Sequence, residues 1–460
     1  MQSIIFHLDM NSYFASVEQQ DNPAWRGQPL GVCEHLGGII IAASIEAKRW
    51  GIKTGTPVWE ARKIYPKIIL TKTSPDRYRF YIKRVMKVAG DYTNFVEQAS
   101  IDEMYLDVTR VCNLVAPVIT RSAEGEAVLS GKKDRFGCTR DDTDVGPFEE
   151  AIKIAKEIKR RMKTEVGDWL TCSIGIADNK LLAKIASDLQ KPDGMVVIVG
   201  ENKGNPCAAQ GFPLLYSKTD LYQKLKLTDI PGIARRQEKN LNKLGIRTLL
   251  DLKSYPLSKL VARFGINGYH LHSMGQLEGS WKPEVQADDE IKSIGHMYTL
   301  PREFREKKFF APVLYKLCEM VAARLRKQGL MGNIIHFYIR DKDYNSFGES
   351  KKLGFCVYDG REVFVQCMRI FENINLSPGE FSAGGGSAFG GKLIGVTVAG
   401  LRPYAAQLSL FGHEERIKRL SSALDKINGK YGAFTVCRAP ILGAKGAFQD
   451  SVGFGRIKEK

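Results

Sequence analysis

Ile4-Ile-Phe-His-Leu-Asp9 and Ala99-Ser-Ile-Asp-Glu-Met-Tyr-Leu-Asp-Val-Thr109 place carboxylates inside otherwise apolar, strand-like runs. An ionised carboxylate in such surroundings is costly unless it is paired or bound to a metal. Asp9, Asp102 and Glu103, meeting at the ends of neighbouring strands, would make a hard, oxygen-rich site suited to Mg2+. Adjacent strand residues point to opposite faces, so Asp102 and Glu103 converge only if the chain turns or bulges there. Two Mg2+ ions about 3.5–4 Å apart in such a site would activate an attacking oxygen and stabilise a leaving phosphate. Without further context, surface acids at strand ends explain the same residues.

Outward from these runs the chain alternates strand-like and helix-like patterns, as an α/β or α+β domain does. Residues 3–10 read as a buried strand, and 11–20 continue with helical spacing of Tyr13, Phe14 and Val17. Residues 39–43 read as a strand and 44–50 as a helix, before a turn region holding Gly51, Gly55 and Pro57. Residues 98–109 hold a strand pattern, and the polar, Gly/Asp/Arg-rich stretch 121–147 reads as a loop insertion. Phe148, Ile152, Ala155, Ile158 and Met162 give a helical apolar stripe. Residues 171–177 read as a strand, and Asn179 is placed to cap a helix over 180–190, closed by Lys191-Pro-Asp-Gly194. Short helices broken at Pro231-Gly232 and Gly245 follow over 221–252. Residues 281–289 read as a linker, and 293–401 alternate again around a Gly-rich stretch, 382–391. The tail past Tyr404 has no packing legible from its pattern.

The length of 460 residues suits roughly two to four domains. Nine cysteines without a CxxC pair suit reduced thiols better than a disulfide framework. No run approaches ~18 apolar residues, which excludes a membrane helix. The carboxylate at Asp9 interrupts any signal-peptide core, so a cytoplasmic protein is expected. Of the net charge of +17, residues 1–214 carry +2 and residues 215–460 carry +15. A basic back half beside a near-neutral front half suggests that the back grips a polyanion and the front houses chemistry.

His7-Leu-Asp-Met-Asn-Ser-Tyr-Phe-Ala-Ser-Val-Glu18 together with residues 99–109 closely resembles the carboxylate motifs of Y-family DNA polymerases. The bacterial DinB (DNA polymerase IV) branch is the nearest match, although a UmuC-like branch stays open. The likeness extends through Ser44-Ile-Glu-Ala-Lys-Arg-Trp-Gly51, residues 172–194 and Lys292-Ser-Ile-Gly295, in the right order over most of residues 1–410. It implies an α+β right-hand polymerase. The palm would be residues 1–13 and 82–200, with an insertion at about 112–147, and the small fingers 14–81. A helical thumb would take 201–281 and a linker 282–290. A separate α/β little finger would occupy 291–405, before a tail at 406–460.

By that resemblance Asp9, Asp102 and Glu103 hold two Mg2+ ions, with the Met10 main-chain carbonyl as a further ligand. A primer 3′-hydroxyl then attacks the α-phosphate of a dNTP, and Asp107 is structural. Lys184 matches a lysine that contacts the triphosphate. Lys180, four residues away on the same helix face, is the weaker candidate. Phe14 matches the steric gate against a ribose 2′-hydroxyl, with Tyr13 beside it. Where the family commonly has Tyr-Glu-Ala-Arg, this chain has Ile45-Glu-Ala-Lys48. Lys48 keeps the cation without the guanidinium fork, and Ile45 cannot donate a hydroxyl hydrogen bond.

Residues 227–246 resemble a helix-hairpin-helix, whose backbone N–H groups hold a phosphate without reading sequence. Gly232 forms its turn, and Arg235, Arg236 and Lys239 add charge. Lys292, Arg302, Arg305 and Arg340 fall where the little finger would meet primer-template DNA. Gln407-Leu-Ser-Leu-Phe411 resembles a sliding β clamp peptide, with Gln407, Leu408, Leu410 and Phe411 as its anchors. His270 and His272 lack ligand-spaced partners and read as a packed or surface pair. The implied enzyme is a monomeric, low-fidelity translesion DNA polymerase without proofreading. Two rival readings are a non-catalytic clamp-bound DNA scaffold and a two-metal nuclease. The scaffold predicts a broken carboxylate set. The nuclease needs neither Phe14 nor Lys184.

Overall fold

The run ending in Asp9 is a strand covered on both faces, which is why its apolar residues do not alternate with polar ones. The computed structural model describes residues 3–34, 36, 38–115, 147–199, 214–279, 291–304, 307–341, 343, 345–373, 391–404 and 413–444. The chain divides into two units, Met1–Ala287 and Asp288–Asp450.

In the first unit the described strands begin with β1 (Ile5–Met10), β2 (Leu30–Cys33), β3 (Ile40–Ala43), β4 (Ile69–Lys72) and β5 (Val96–Gln98). They continue with β6 (Glu103–Asp107), β7 (Cys172–Ala177), β8 (Met195–Val199) and β9 (Leu214–Ser217). One sheet has the order β5-β6-β1-β7-β8-β9. Within it β1 is antiparallel to both β6 and β7, while β8 is parallel to β7 and β9.

Ile4, Phe6, Leu8 and Met10 join a core with Val85 and Val88 of helix Pro75–Gly90 and Ile152 and Ile158 of helix Pro147–Arg161. Full burial of each such side chain contributes about 1.5–3 kcal/mol. The alternate residues Ile5, His7 and Asp9 face the other way, toward helix Lys180–Leu189. There Ile5 packs with Leu182, Ala183 and Ala186. Gly175 on β7 permits this close approach. A Cβ at that position would lie 1.9 Å from the Ala183 carbonyl oxygen and 2.4 Å from the Ser187 nitrogen.

A smaller sheet, β3-β2-β4, carries helices Ile45–Arg49 and Val58–Ile64 over a core of Cys33, Ile40, Ala47, Ile52, Val58 and Ala61. After β9, short helices bury Leu221, Leu241, Leu249, Leu252, Leu260 and Leu271. His270 and His272 lie on one of them, Ile266–Gly275.

The second unit holds β10 (Ser293–Phe304), β11 (Leu330–Asp341), β12 (Ser346–Val357) and β13 (Gly391–Pro403). They form an antiparallel sheet ordered β10-β13-β11-β12. Ile335, Phe337, Ile339, Ile394, Val396 and Val398 pack one face against helices Lys307–Lys327 and Gly360–Asn373. The tail that the sequence pattern leaves unplaced contributes helix His413–Tyr431 and a short turn of helix, Ala439–Ala444. Both are tied to this unit: Arg326 donates two bonds to Asp425 (2.6 and 2.7 Å), and Arg438 donates to Asp359 (2.7 Å).

The structure differs locally from the sequence reading. The expected strand over 98–109 is two strands, β5 and β6, joined by a turn. The first helix starts at Tyr13 because Ser12 adopts a left-handed conformation, φ +47°. Asn179 caps helix Lys180–Leu189 as expected, accepting from the Leu182 N–H at 2.9 Å. Asp107 accepts from the Thr109 N–H (2.9 Å), a structural role at the start of helix Thr109–Val115. Most of the insertion, the linker and the Gly-rich stretch before Gly391 lie outside the described residues. Among the described residues, no helix is long and apolar enough to cross a membrane.

Candidate active site

Asp9 stands directly opposite Glu103 in the β1–β6 ladder, so both side chains leave the same face of the sheet. Asp102 joins them through the turn before β6. Its carbonyl accepts from the Met10 N–H (2.9 Å), and its Oδ1 accepts from Ser100 Oγ (2.6 Å). Asp102 therefore precedes the strand, which begins only at Glu103, and its charge acts on Asp9. The turn before β6 is the one which the period-two geometry of a strand demands.

Lysines from the covering helix and the turn after it reach down to this face. Lys184 Nζ donates to Glu103 Oε1 (2.7 Å). Lys191 Nζ lies 2.7 Å from both Asp9 Oδ2 and Asp188 Oδ1. Lys180 has a different environment. It is buried, bonded to Glu97 Oε2 at 2.6 Å, and lies 4.7 Å from the centre of the Tyr105 ring. Lys180 and Lys184 share a helix face as expected, but only Lys184 touches the carboxylate cluster.

His7 is fully buried below Glu103. Its Nδ1 lies 2.7 Å from Ser187 Oγ, whose own proton goes to the Lys184 carbonyl (2.8 Å). Nε2 lies 3.9 Å from Glu103 Oε2. Burial, then Lys184, Lys191 and Lys180, hold the imidazole well below its ordinary pKa.

The carboxylates are crowded. Burial pushes Asp9 up to about 7; Lys191 opposes the shift, and Glu103 and Asp102 add to it. Asp102 is raised as well, chiefly by burial and then by Glu103 against the Ser100 hydrogen bond. Desolvation draws the Lys48 amine down, and Lys191 adds to this while Asp9 and Asp102 oppose it. Lys48 thus lies in the field of the same acids.

Three carboxylates, all hard-oxygen donors, match a divalent cation in chemistry. Among the described residues, no three acidic, His or Cys side chains gather closely enough to hold a metal as they stand. Lys191 and Lys184 each engage an oxygen that such an ion would use.

Tyr13 and Phe14 are both buried beside this site. Phe14 stacks on Tyr78 with centroids 4.2 Å apart and planes 7° from parallel. Tyr13 donates to the Tyr78 carbonyl (2.6 Å), and Tyr78 donates to Glu18 (2.8 Å). Both rings are therefore held in place. In the smaller sheet's layer, Ser44 Oγ accepts from the Ala47 N–H (3.2 Å) and starts the helix that carries Ile45 and Lys48.

Residues 8–188 match the model of the impB/mucB/samB family, and residues 291–410 match that of the family's C-terminal domain. The DNA polymerase IV of Pelotomaculum thermopropionicum is 30% identical over 457 residues, covering 98% of this chain and 99% of its own. The chain belongs to the Y family of DNA polymerases, in its DinB-type branch.

The DNA polymerase IV of Moorella thermoacetica is 32% identical over 443 residues, 95% of this chain and 96% of its own. A solved Y-family DNA polymerase chimera, Dbh-Dpo4-Dbh, aligns with a TM-score of 0.65 at 25% identity, covering 86% of this chain and 98% of its own. The fold is accordingly the α+β polymerase architecture with a separate C-terminal little-finger domain. The protein is a DNA-directed DNA polymerase of the translesion type. It acts on primer-template DNA and dNTPs, in a family of metal-dependent nucleotidyltransferases.

In this Y-family chain Gly232 takes φ +100° in the turn ahead of the next helix, with Ile233 N–H donating to the Ile230 carbonyl (3.0 Å). Helix Arg235–Asn242 follows, and Arg235, Arg236 and Lys239 are exposed on it, as is Lys292 ahead of β10. Arg340 is partly exposed on β11. Gln407, Leu408, Leu410, Phe411, Arg305 and the Arg302 side chain lie outside the described residues.

The sequence reading missed Lys191 and His7. Lys191 opens the Lys-Pro-Asp-Gly turn, which marked only the end of a helix. The turn is brought to β1 by the Asn11 side chain, whose Oδ1 accepts from the Asp193 N–H (2.7 Å). His7 carried a usable signal, because it sits two residues before Asp9 and so shares its strand face.

Proposed function

We propose that Asp9, Asp102, Glu103 and the Met10 main-chain carbonyl hold two Mg2+ ions. At this site a primer 3′-hydroxyl would give its proton to water, its oxygen would bond the dNTP α-phosphorus, and the bond to the leaving pyrophosphate would break. The supporting observation is the Asp9–Glu103 cross-strand pair, with Asp102 in the turn just before Glu103 and bonded to Ser100. Bound there, the ions supply Lewis-acid charge for the attacking and leaving oxygens.

The chain's own cations prepare this site. Lys191 and Lys184 neutralise Asp9 and Glu103 in the chain as it stands, and with Lys48 they would supply positive charge to a bound triphosphate. Lys180 stays with Glu97 and fixes the helix that carries Lys184. Phe14, backed by Tyr13 and Tyr78, fills the space of a ribose 2′-hydroxyl. Ile45 and Lys48 leave the triphosphate with fewer directed hydrogen bonds than Tyr and Arg would provide.

The duplex is held without sequence reading by the Gly232 turn, Arg235, Arg236 and Lys239, and by Lys292 and Arg302. The palm, fingers, thumb, linker and little finger follow the boundaries stated above. Gln407–Phe411 docks on the sliding β clamp. The enzyme works as a cytoplasmic monomer, with low fidelity and no proofreading.

Primer extension on an undamaged template with Mg2+ tests this reading. The expected result is extension by the wild type, none by Asp102→Ala/Glu103→Ala, and ribonucleotide use gained in Phe14→Ala. Primer-template binding without extension at any dNTP or metal concentration would sink the catalytic assignment.

A further inference from the structure

The layer built on β3-β2-β4 leaves large apolar side chains outside its small core. Trp50 is 57% exposed, Trp59 68% and Ile39 56%. All three are arranged around one short helix, Val58–Ile64. Trp59 lies in its first turn. The Trp50 ring is 5.2 Å from that of Tyr65, the residue after its end. Ile39 pairs with Pro57, the residue before its start.

The same segment is strongly basic. Residues 45–72 contain seven Lys/Arg and two acids. Arg62 and Lys63, both exposed, stand three and four residues after Trp59 and share its side of the helix. A purely solvated basic surface gives no reason for two exposed indoles. A protein-docking patch is depleted in lysine at its centre. Aromatic faces interleaved with cations suit single-stranded nucleic acid, whose bases stack on the rings while its phosphates meet the charges.

We propose that this surface binds the unpaired template strand ahead of the site of synthesis, with Trp50 and Trp59 as stacking platforms and Arg62 and Lys63 as phosphate contacts. The occupant follows from the activity, because a template-directed polymerase meets unpaired template at every addition and duplex DNA offers no open base faces. The inference rests on that activity. It does not depend on the metal or clamp assignments.

The test is equilibrium binding of the full chain, by fluorescence anisotropy, to primer-templates with 5′ overhangs of about one and about twelve thymidines. Wild type is expected to bind the longer overhang about tenfold more tightly, the scale of one stacked base. Trp50→Ala/Trp59→Ala should lose that gain while still binding the short overhang, and Trp50→Phe/Trp59→Phe should keep it. Arg62→Ala/Lys63→Ala should flatten the salt dependence on the long overhang. Absence of the gain in wild type, or its persistence in the double alanine variant, overturns the proposal. A surface reserved for a protein partner predicts that second outcome. Failure to bind even the short overhang would instead count against the polymerase reading.

Discussion

Two clusters of buried charge, one in each unit, use the same kinds of carboxylate with different cations. In the second unit Arg438 reaches Asp359 (2.7 Å), Glu319 (3.3 Å) and the Tyr315 hydroxyl (3.2 Å), and Arg326 forks onto both oxygens of Asp425. In the first unit Asp9 and Glu103 are met by single lysine amines. A guanidinium fork fixes its partner through several directed bonds, whereas an ammonium is a point charge on a flexible stem. The arginine cluster closes a structure. The lysine cluster leaves its carboxylates with fewer directed bonds, which is what the proposed function asks of a site that must admit a cation.

The sharpest way to break this contrast is to neutralise one acid in the lysine cluster. Asp9→Asn should lower the extension rate by roughly 10³-fold, as expected for removing a charge that the transition state needs. It should not lower the melting temperature. Burial holds the folded Asp9 carboxyl above its ordinary value, so its ionised form costs stability at neutral pH, and the amide removes that cost. A variant that unfolds, or one that extends primers at the wild-type rate, would refute the contrast.

In the arginine cluster the opposite balance is expected. Arg438→Met leaves Asp359 and Glu319 buried without their fork, a loss of about 3–5 kcal/mol by the usual cost of breaking a buried pair. Chemical denaturation should show the second unit unfolding at lower denaturant. Single-turnover extension on saturating primer-template should keep its rate. A stability change under 1 kcal/mol would mean that the tail is not held by these bonds.

The two helix lysines carry the same contrast within one element. Lys180→Met removes a buried cation bonded to Glu97 at 2.6 Å and should destabilise the first unit by about 3–5 kcal/mol. Lys184→Met should leave the fold nearly unchanged and raise the KM for dNTP about tenfold, the scale of one charge-assisted hydrogen bond. Equal effects on stability would show that the two positions do not differ as their surroundings imply.

Much of this site was legible because it depends on local rules. Asp9, Asp102 and Glu103 stood out as charges in apolar strands, and the period-two rule required the turn that Ser100 makes. Asn179 as a helix cap followed from short-range chemistry. Lys180 and Lys184 could not be told apart, since four-residue spacing gives a shared face but not which side chain meets Glu97 and which meets Glu103. Lys191 was hidden for a similar reason. Its approach to Asp9 depends on a turn held by Asn11, 182 residues away in sequence. The tail past Tyr404 had no packing legible in its pattern. Its docking needed Arg326 and Arg438 to find acids far along the chain.

The smallest expected effect concerns Lys48, a point charge where the motif resemblance implies a guanidinium fork. The structure keeps Lys48 in the field of Asp9 and Asp102, with its amine drawn down by desolvation and by Lys191. An arginine there stays charged in any such field and offers two parallel bonds to a phosphate. Lys48→Arg should therefore lower the KM for dNTP several-fold, about 0.5–1.5 kcal/mol for one added net hydrogen bond. The extension rate at saturating dNTP should change little, because the carboxylates and Phe14 are untouched. Steady-state single-nucleotide insertion separates the two parameters. A higher KM in Lys48→Arg would mean that the site is shaped around the ammonium, and that the lysine is an adapted choice rather than a weaker substitute.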